Sequence, residues 1–161
     1  MPLLIRPAAP SDADLIFALI RELAEYERLL DKVDATLDMT RRALFGANPR
    51  LFCDIAEWRG APAGFAVWFY NFSTFRGRHG IYLEDLFVRP SLRGHGIGKA
   101  LLRELARRCL AEGLARLEWS VLDWNEPSVN FYKSLGAIAK NEWTMYQISG
   151  EALARLGAQG A

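Results

Sequence analysis

The chain has 161 residues, 51% hydrophobic and 24% charged, and its 20 basic and 19 acidic side chains leave a formal net charge of +1. That suits one globular domain spanning 1–161 with a single core, and it offers no excess of cations to draw nucleic acid or a membrane surface. No apolar run approaches the ~20 residues of a membrane helix, and the opening MPLLIRPAAPSDAD lacks the order of a secretory signal, so a cytoplasmic location is expected.

Leu3 to Ala9 reads as a short strand, stopped by Pro7 and Pro10. A helix follows with Ser11 or Asp12 as N-cap, its apolar side recurring at Leu15, Ile16, Leu19, Ile20 and Leu23. LDMTRRALFG predicts a second helix ending at Gly46. LFCDIAEW and AGFAVWFYNF, joined through RGAP, read as a hairpin, and GIYLEDLFV as the next strand. A helix is expected over Ile97 to Glu112, a strand in LARLEWSVL, a short helix in EPSVNFYKSL and a final strand in EWTMYQIS. The resulting order, β-α-α-β-β-β-α-β-α-β, implies an α/β fold with a mixed sheet flanked by helices. Cys53 and Cys109 lie in apolar patterns and are expected to be buried, free thiols. With His79 and His95 they show no ligand spacing, so no metal is expected.

SLRGHGIGKALLREL is the most informative stretch. It is not a Walker loop: Arg93 stands where that motif needs its first glycine, and Ala100 where it needs Ser or Thr. It is not a dinucleotide fingerprint either, because Gly94, Gly96 and Gly98 are spaced two apart. The physics of both loops still applies. Successive glycines let backbone N–H groups converge on one spot, a helix starting at Ile97 adds partial positive charge, and Arg93 adds a full charge able to fork onto phosphate oxygens. Ile97, Leu101, Leu105 and Cys109 anchor that helix, with Lys99, Arg103, Arg107 and Arg108 expected to face outward. The segment predicts an anion cradle of pyrophosphate size.

IYLEDLFV reads as a buried central strand with two carboxylates in the middle. Strand alternation sends Glu84 and Asp85 to opposite faces, and a carboxylate there needs a partner or a task. A structural ion pair is the expectation for Asp85. Farther on, Asn125 is a natural N-cap and Gly136 a helix stop, while Ser128 and Tyr132 share one helix face. Glu22 and Tyr26 share a face of the first helix, with Glu25 and Glu27 beside it.

VRPSLRGHGIGKALL resembles the acetyl-coenzyme A signature of the GNAT N-acetyltransferases, Arg/Gln-x-x-Gly-x-Gly/Ala, with Arg93, Gly96 and Gly98 in the matching places. ELAEYE, YLEDLFV and WNEPSVNFYKSLGA add a resemblance to the diamine (spermidine/spermine) and thialysine acetyltransferases over nearly the whole chain. The resemblance implies a GNAT-like acyl-CoA N-acyltransferase fold and direct acetyl transfer from acetyl-CoA to a small primary amine in a homodimeric enzyme. It implies that the backbone of Leu86, Phe87 and Val88 runs beside the pantetheine arm. Arg93, Gly94, His95, Gly96, Ile97, Gly98 and Lys99 would hold the pyrophosphate, the His95 side chain facing solvent, and Asn125, Ser128 and Tyr132 would contact the coenzyme. Tyr132 would be the general acid, a phenol near pKa 10 suiting a departing thiolate. Glu84 would hold the amine and take its proton, and Tyr26, Glu27, Glu118, Trp119 and Ser120 would line the amine site. In one respect the chain departs from the polyamine enzymes: an acidic residue and a tryptophan give way to Thr74 and Phe75, with Arg76, Arg78 and His79 beside them. Basic groups there repel a long polycation, which favours a lysine-like amino acid such as thialysine, or a short diamine, over spermine. The alternatives are a protein lysine or N-terminal acetyltransferase and a non-catalytic acyl-CoA-binding module.

Overall fold

Strand β1 (Leu3–Pro7) opens a sheet that continues through β2 (Phe52–Trp58), β3 (Ala61–Ser73), β4 (Arg78–Val88) and β5 (Leu117–Trp119), in that spatial order. The computed structural model describes residues 1–160 and falls into two compact units, the first Met1–Leu122 and the second beginning at Asp123. Neighbouring strands are antiparallel except β4 and β5, which run parallel. The β2–β3 turn is made by Arg59 and Gly60, both at positive φ (52° and 80°), a two-residue turn whose twist suits a hairpin.

One face of the sheet carries α1 (Ala13–Tyr26) and α2 (Leu37–Phe45). Ile16, Leu19 and Leu23 of α1 and Leu44 of α2 pack on Cys53, Ile55, Phe65, Val67 and Phe87, which alternate along β2, β3 and β4. Asp12 precedes α1 as expected, but its carboxylate turns back to accept from the Ala9 N–H at 2.7 Å and to pair with Arg6 at 2.7 Å. The other face carries α3 (Ile97–Glu112), with Ile97, Leu101, Leu105 and Cys109 buried as the periodicity requires. Arg108 corrects the expectation of an outward face. It turns inward to Asp54 of β2 at 2.9 Å, and its guanidinium lies 4.6 Å from the centre of the Trp68 ring.

The second unit holds α4 (Glu126–Ser134) and α5 (Gly150–Ala158). The strand expected in EWTMYQIS does not form. A strand exists only through backbone pairing, and the unit containing this segment has no other strand to pair with. The α5 helix had no counterpart in the sequence reading; Gly150 and Gly157 inside its short span weaken the propensity signal.

Candidate functional site

The connection from β4 to α3 has the build of an anion cradle. Gly94 and Gly96 sit at φ 85° and 75°, the left-handed region that glycine alone enters freely. No atom lies within 4 Å of where a Cβ would stand on either, so backbone conformation rather than crowding demands glycine, and the space in front stays open. The first intrahelical bond runs from the Ala100 N–H to the Gly96 carbonyl at 3.0 Å. The amides of Ile97, Gly98 and Lys99 therefore precede the ladder and sit at the positive mouth of a sixteen-residue helix. Donors, partial charge and absent side chains together fit a diphosphate.

Two side chains of this loop make contacts that the sequence pattern does not announce. Arg93 donates its Nε–H to the Val88 carbonyl at 3.0 Å and stacks over Tyr26 (4.5 Å) and Phe87 (5.6 Å). Its charge is committed to the end of β4 and the end of α1, because the short turn over Pro90–Leu92 just before it bends the chain back. The His95 side chain is exposed, as expected, and rests against Trp58 at 4.7 Å between ring centres.

Strand β4 supplies the rest of the first unit's site. Its parallel pairing with β5 ends at Leu83 opposite Trp119. From Glu84 to Val88, which includes Leu86 and Phe87, its only strand neighbour among the described residues is β3, leaving a backbone edge open to an extended ligand. At the same point the register with β3 slips by one: Leu83 faces Trp68 but Asp85 faces Val67, and Glu84 is the extra residue of a bulge.

That slip overturns the alternation argument. Trp68 lies on the α3 face, its Nε1–H donating to Asp54 at 3.2 Å, and Leu83 opposite it shares that face. Val67 belongs to the core under α1, and Asp85 opposite it shares that face. Alternation from Leu83 sends Glu84 to the α1 face, and the bulge returns Asp85 to the same side. Glu84 is exposed rather than buried, and Asp85 is partly buried. The ion pair expected for Asp85 is absent among the described residues: burial, and then the charges of Glu84 and Glu27, push its carboxyl up to about 7, with no described cation opposing them.

Tyr26 ends α1 and Glu27 caps it, and the Tyr26 ring lies 6.3 Å from Phe87. Burial raises the Glu27 carboxyl above its ordinary range. The fold thus brings Tyr26, Glu27 and Glu84 to one place, with Asp85 among them. Glu22 is committed elsewhere, to Arg89 at 2.9 Å. Of the β5 residues, Glu118 is held by Arg116 at 2.9 Å and by the Asn71 amide at 3.0 Å. Ser120 shares a 2.8 Å hydrogen bond with the Tyr82 hydroxyl, and Trp119 pairs with Leu83 next to the bulge.

In the second unit, Asn125 caps α4 by accepting from the Ser128 N–H at 3.4 Å. Ser128 and Tyr132 stand one turn apart on that helix. Cys53 and Cys109 are buried free thiols, each pushed up by burial. Among the described residues no group of three or more His, Cys, Asp or Glu side chains is placed to hold a metal ion. The sequence reading missed Asp85 as an unpaired acid. Its signal was the Glu-Asp pair inside an apolar strand, but a bulge leaves no mark in strand alternation.

Three comparisons bear on this arrangement. The family model described as Acetyltransferase (GNAT) family matches residues 16–137. The thialysine N-epsilon-acetyltransferase of Bos taurus is 38% identical, over 97% of this chain and 98% of its own, and the L-ornithine N5-acetyltransferase NATA1 of Arabidopsis thaliana is 29% identical, over 92% and 85%. Among solved structures, an integron cassette protein from the mobile metagenome of V. cholerae superposes with a TM-score of 0.82 at 29% identity, covering 99% of both chains.

Proposed function

The chain belongs to the GNAT acetyltransferase family, and from that premise we propose that it moves the acetyl group of acetyl-CoA onto the primary amine of a small amino acid or diamine. The observation that carries this reading is the convergence on β4, beside an open edge that leads into the glycine cradle, of Tyr26 against Phe87 and of the charges of Glu27 and Glu84 around Asp85. An ammonium is attracted by carboxylates and aromatic faces, and the cradle is chemically suited to a diphosphate. The family match, over residues 16–137 of this chain, runs into both units and supports one catalytic domain over 1–161.

Bound acetyl-CoA supplies an activated thioester acyl group. The amides from Gly94 to Lys99 hold its diphosphate, and the β4 backbone from Leu86 to Val88 lines its extended arm. Asn125 and Ser128 add contacts from α4. Glu84 orients the ammonium and accepts its proton, a required step because an amine of pKa near 10 does not react while protonated. Tyr132 gives its hydroxyl proton to the departing sulfur, and its phenol is close in acidity to a thiol. Arg93 holds the Tyr26 ring over Phe87 and so positions the amine-facing aromatic. The names of the relatives, which act on thialysine and ornithine, support an amino acid bearing a side-chain amine. Arg76, Arg78 and His79 support the same choice, since they disfavour a long polycation and suit a carboxylate. The family resemblance also supports a homodimer, and two buried free thiols suit a reducing, cytoplasmic location.

Acetyl-CoA consumption across a panel of thialysine, ornithine, lysine, putrescine and spermine, with product masses, tests the reading. Turnover of the amino-acid amines above spermine is expected; spermine turnover alone, or acetylation of protein substrates alone, overturns it. Tyr132→Phe is expected to cut kcat about 100-fold with acetyl-CoA affinity nearly unchanged.

A further inference from the structure

We propose that Asp85 works with Glu84 as one proton-accepting unit, in which Glu84 takes the proton of the incoming ammonium and Asp85 stores it; this rests on the amine N-acetylation reading above. The geometry comes first. Without the β4 bulge the two carboxylates would stand on opposite faces of the sheet. The slip at Val67 and Trp68 places both on the α1 side, adjacent in the chain and beside Glu27.

The surroundings of Asp85 then decide its role. The charge of Glu84 on its own strand and that of Glu27 at the end of α1 both act on it. Across β3 its opposite residue is the apolar Val67, and from β2 it acts on the buried Cys53 thiol. The cations of this neighbourhood have other acceptors: Arg89 holds Glu22 with two hydrogen bonds of 2.9 and 3.1 Å, and Arg93 is bound to the Val88 carbonyl. A purely structural aspartate would have one of these arginines. Two adjacent carboxylates without a cation bind one proton between them at a pH far above that of either alone.

The proton balance is simple. The ammonium gives H⁺ to the Glu84 carboxylate, yielding a neutral amine and a carboxylic acid. Glu84 passes that proton to the Asp85 carboxylate, regaining its own charge for the next ammonium, and Asp85 releases it to water. Asp85 is therefore a positioning residue that acts through Glu84, and Glu84 is the group that touches substrate.

The test compares the pH dependence of kcat/KM for the full-length wild type, Asp85→Asn and Asp85→Glu with a carboxyl NMR titration of Asp85 in the wild type and in Glu84→Gln. The wild type is expected to lose activity below an apparent pKa near 7, and Asp85→Asn to move that limb down by more than one pH unit with a lower plateau. Asp85→Glu should restore the limb toward neutrality. In the NMR, the Asp85 midpoint should fall when Glu84 becomes Gln. An acid limb unmoved in a folded, acetyl-CoA-binding Asp85→Asn overturns the proposal, as does an Asp85 midpoint indifferent to Glu84. A wild type that acetylates no amine sinks the reaction reading instead; the titration needs no turnover, so the two failures are told apart.

Discussion

Two aspartates of the same sheet have opposite fates. Asp54, on the α3 face of β2, is 2% exposed and fully answered: Arg108 reaches it with two nitrogens at 2.9 and 3.4 Å, and the Trp68 indole donates at 3.2 Å. Asp85, on the α1 face of β4, has more access to solvent and no cation. The first is the structural pair that a carboxylate in a sheet requires. The second has no such partner and stands next to a like charge, Glu84. A paired acid stabilises the fold, whereas an unpaired one at an open strand edge is available for chemistry, at some cost in stability.

The largest expected effect tests the paired side. Asp54→Ala leaves Arg108 half-buried without its carboxylate, and denaturant unfolding should show a loss of about 3 to 5 kcal/mol. Turnover per folded molecule should change little, and a stability change below about 1 kcal/mol would erase the contrast with Asp85.

Next in size is Asp85→Asn, which should stabilise the protein. The folded-state carboxyl titrates at about 7 against an ordinary 3.8, so between those values the native state holds a proton that the unfolded chain has lost. Wild-type stability therefore falls as pH rises through that window and levels off above it. The variant lacks this loss, so its unfolding free energy should exceed the wild type's at pH 8, by an amount on the order of 2 kcal/mol, and equal it near pH 3. A variant less stable than the wild type at pH 8 would put Asp85 in the same class as Asp54.

Gly96→Ala forces a side chain into the left-handed region, at about 1 to 2 kcal/mol. It should also weaken acetyl-CoA binding several-fold in calorimetry, because the amide cradle must distort. The smallest effect sharpens the comparison. Glu22→Gln breaks an ion pair on the same face as Asp85, but both partners are about one-third exposed, so the loss should stay within about 1 kcal/mol in thermal unfolding. Together with Asp54→Ala it separates the influence of burial from that of the sheet face.

Much of this molecule could be read from the chain alone. The bounds of α3 follow from glycines giving way to a four-residue apolar period, and the β2–β3 hairpin from two β-rich runs about a Gly-containing turn, because these signals are local. The backbone of the loop before α3 was legible for the same reason: Gly94 and Gly96 announce their left-handed conformation by residue type. What only the tertiary structure decided is nonlocal. Arg108 could turn inward only because β2 presents Asp54 to it, and Arg93 met Tyr26 and Phe87 only because α1 ends over β4. The fate of EWTMYQIS turned on pairing, since a strand is a relation between segments and its own unit holds no other strand. The face of Asp85 was set in the same way, by a one-residue slip against β3 that a single strand's pattern does not encode.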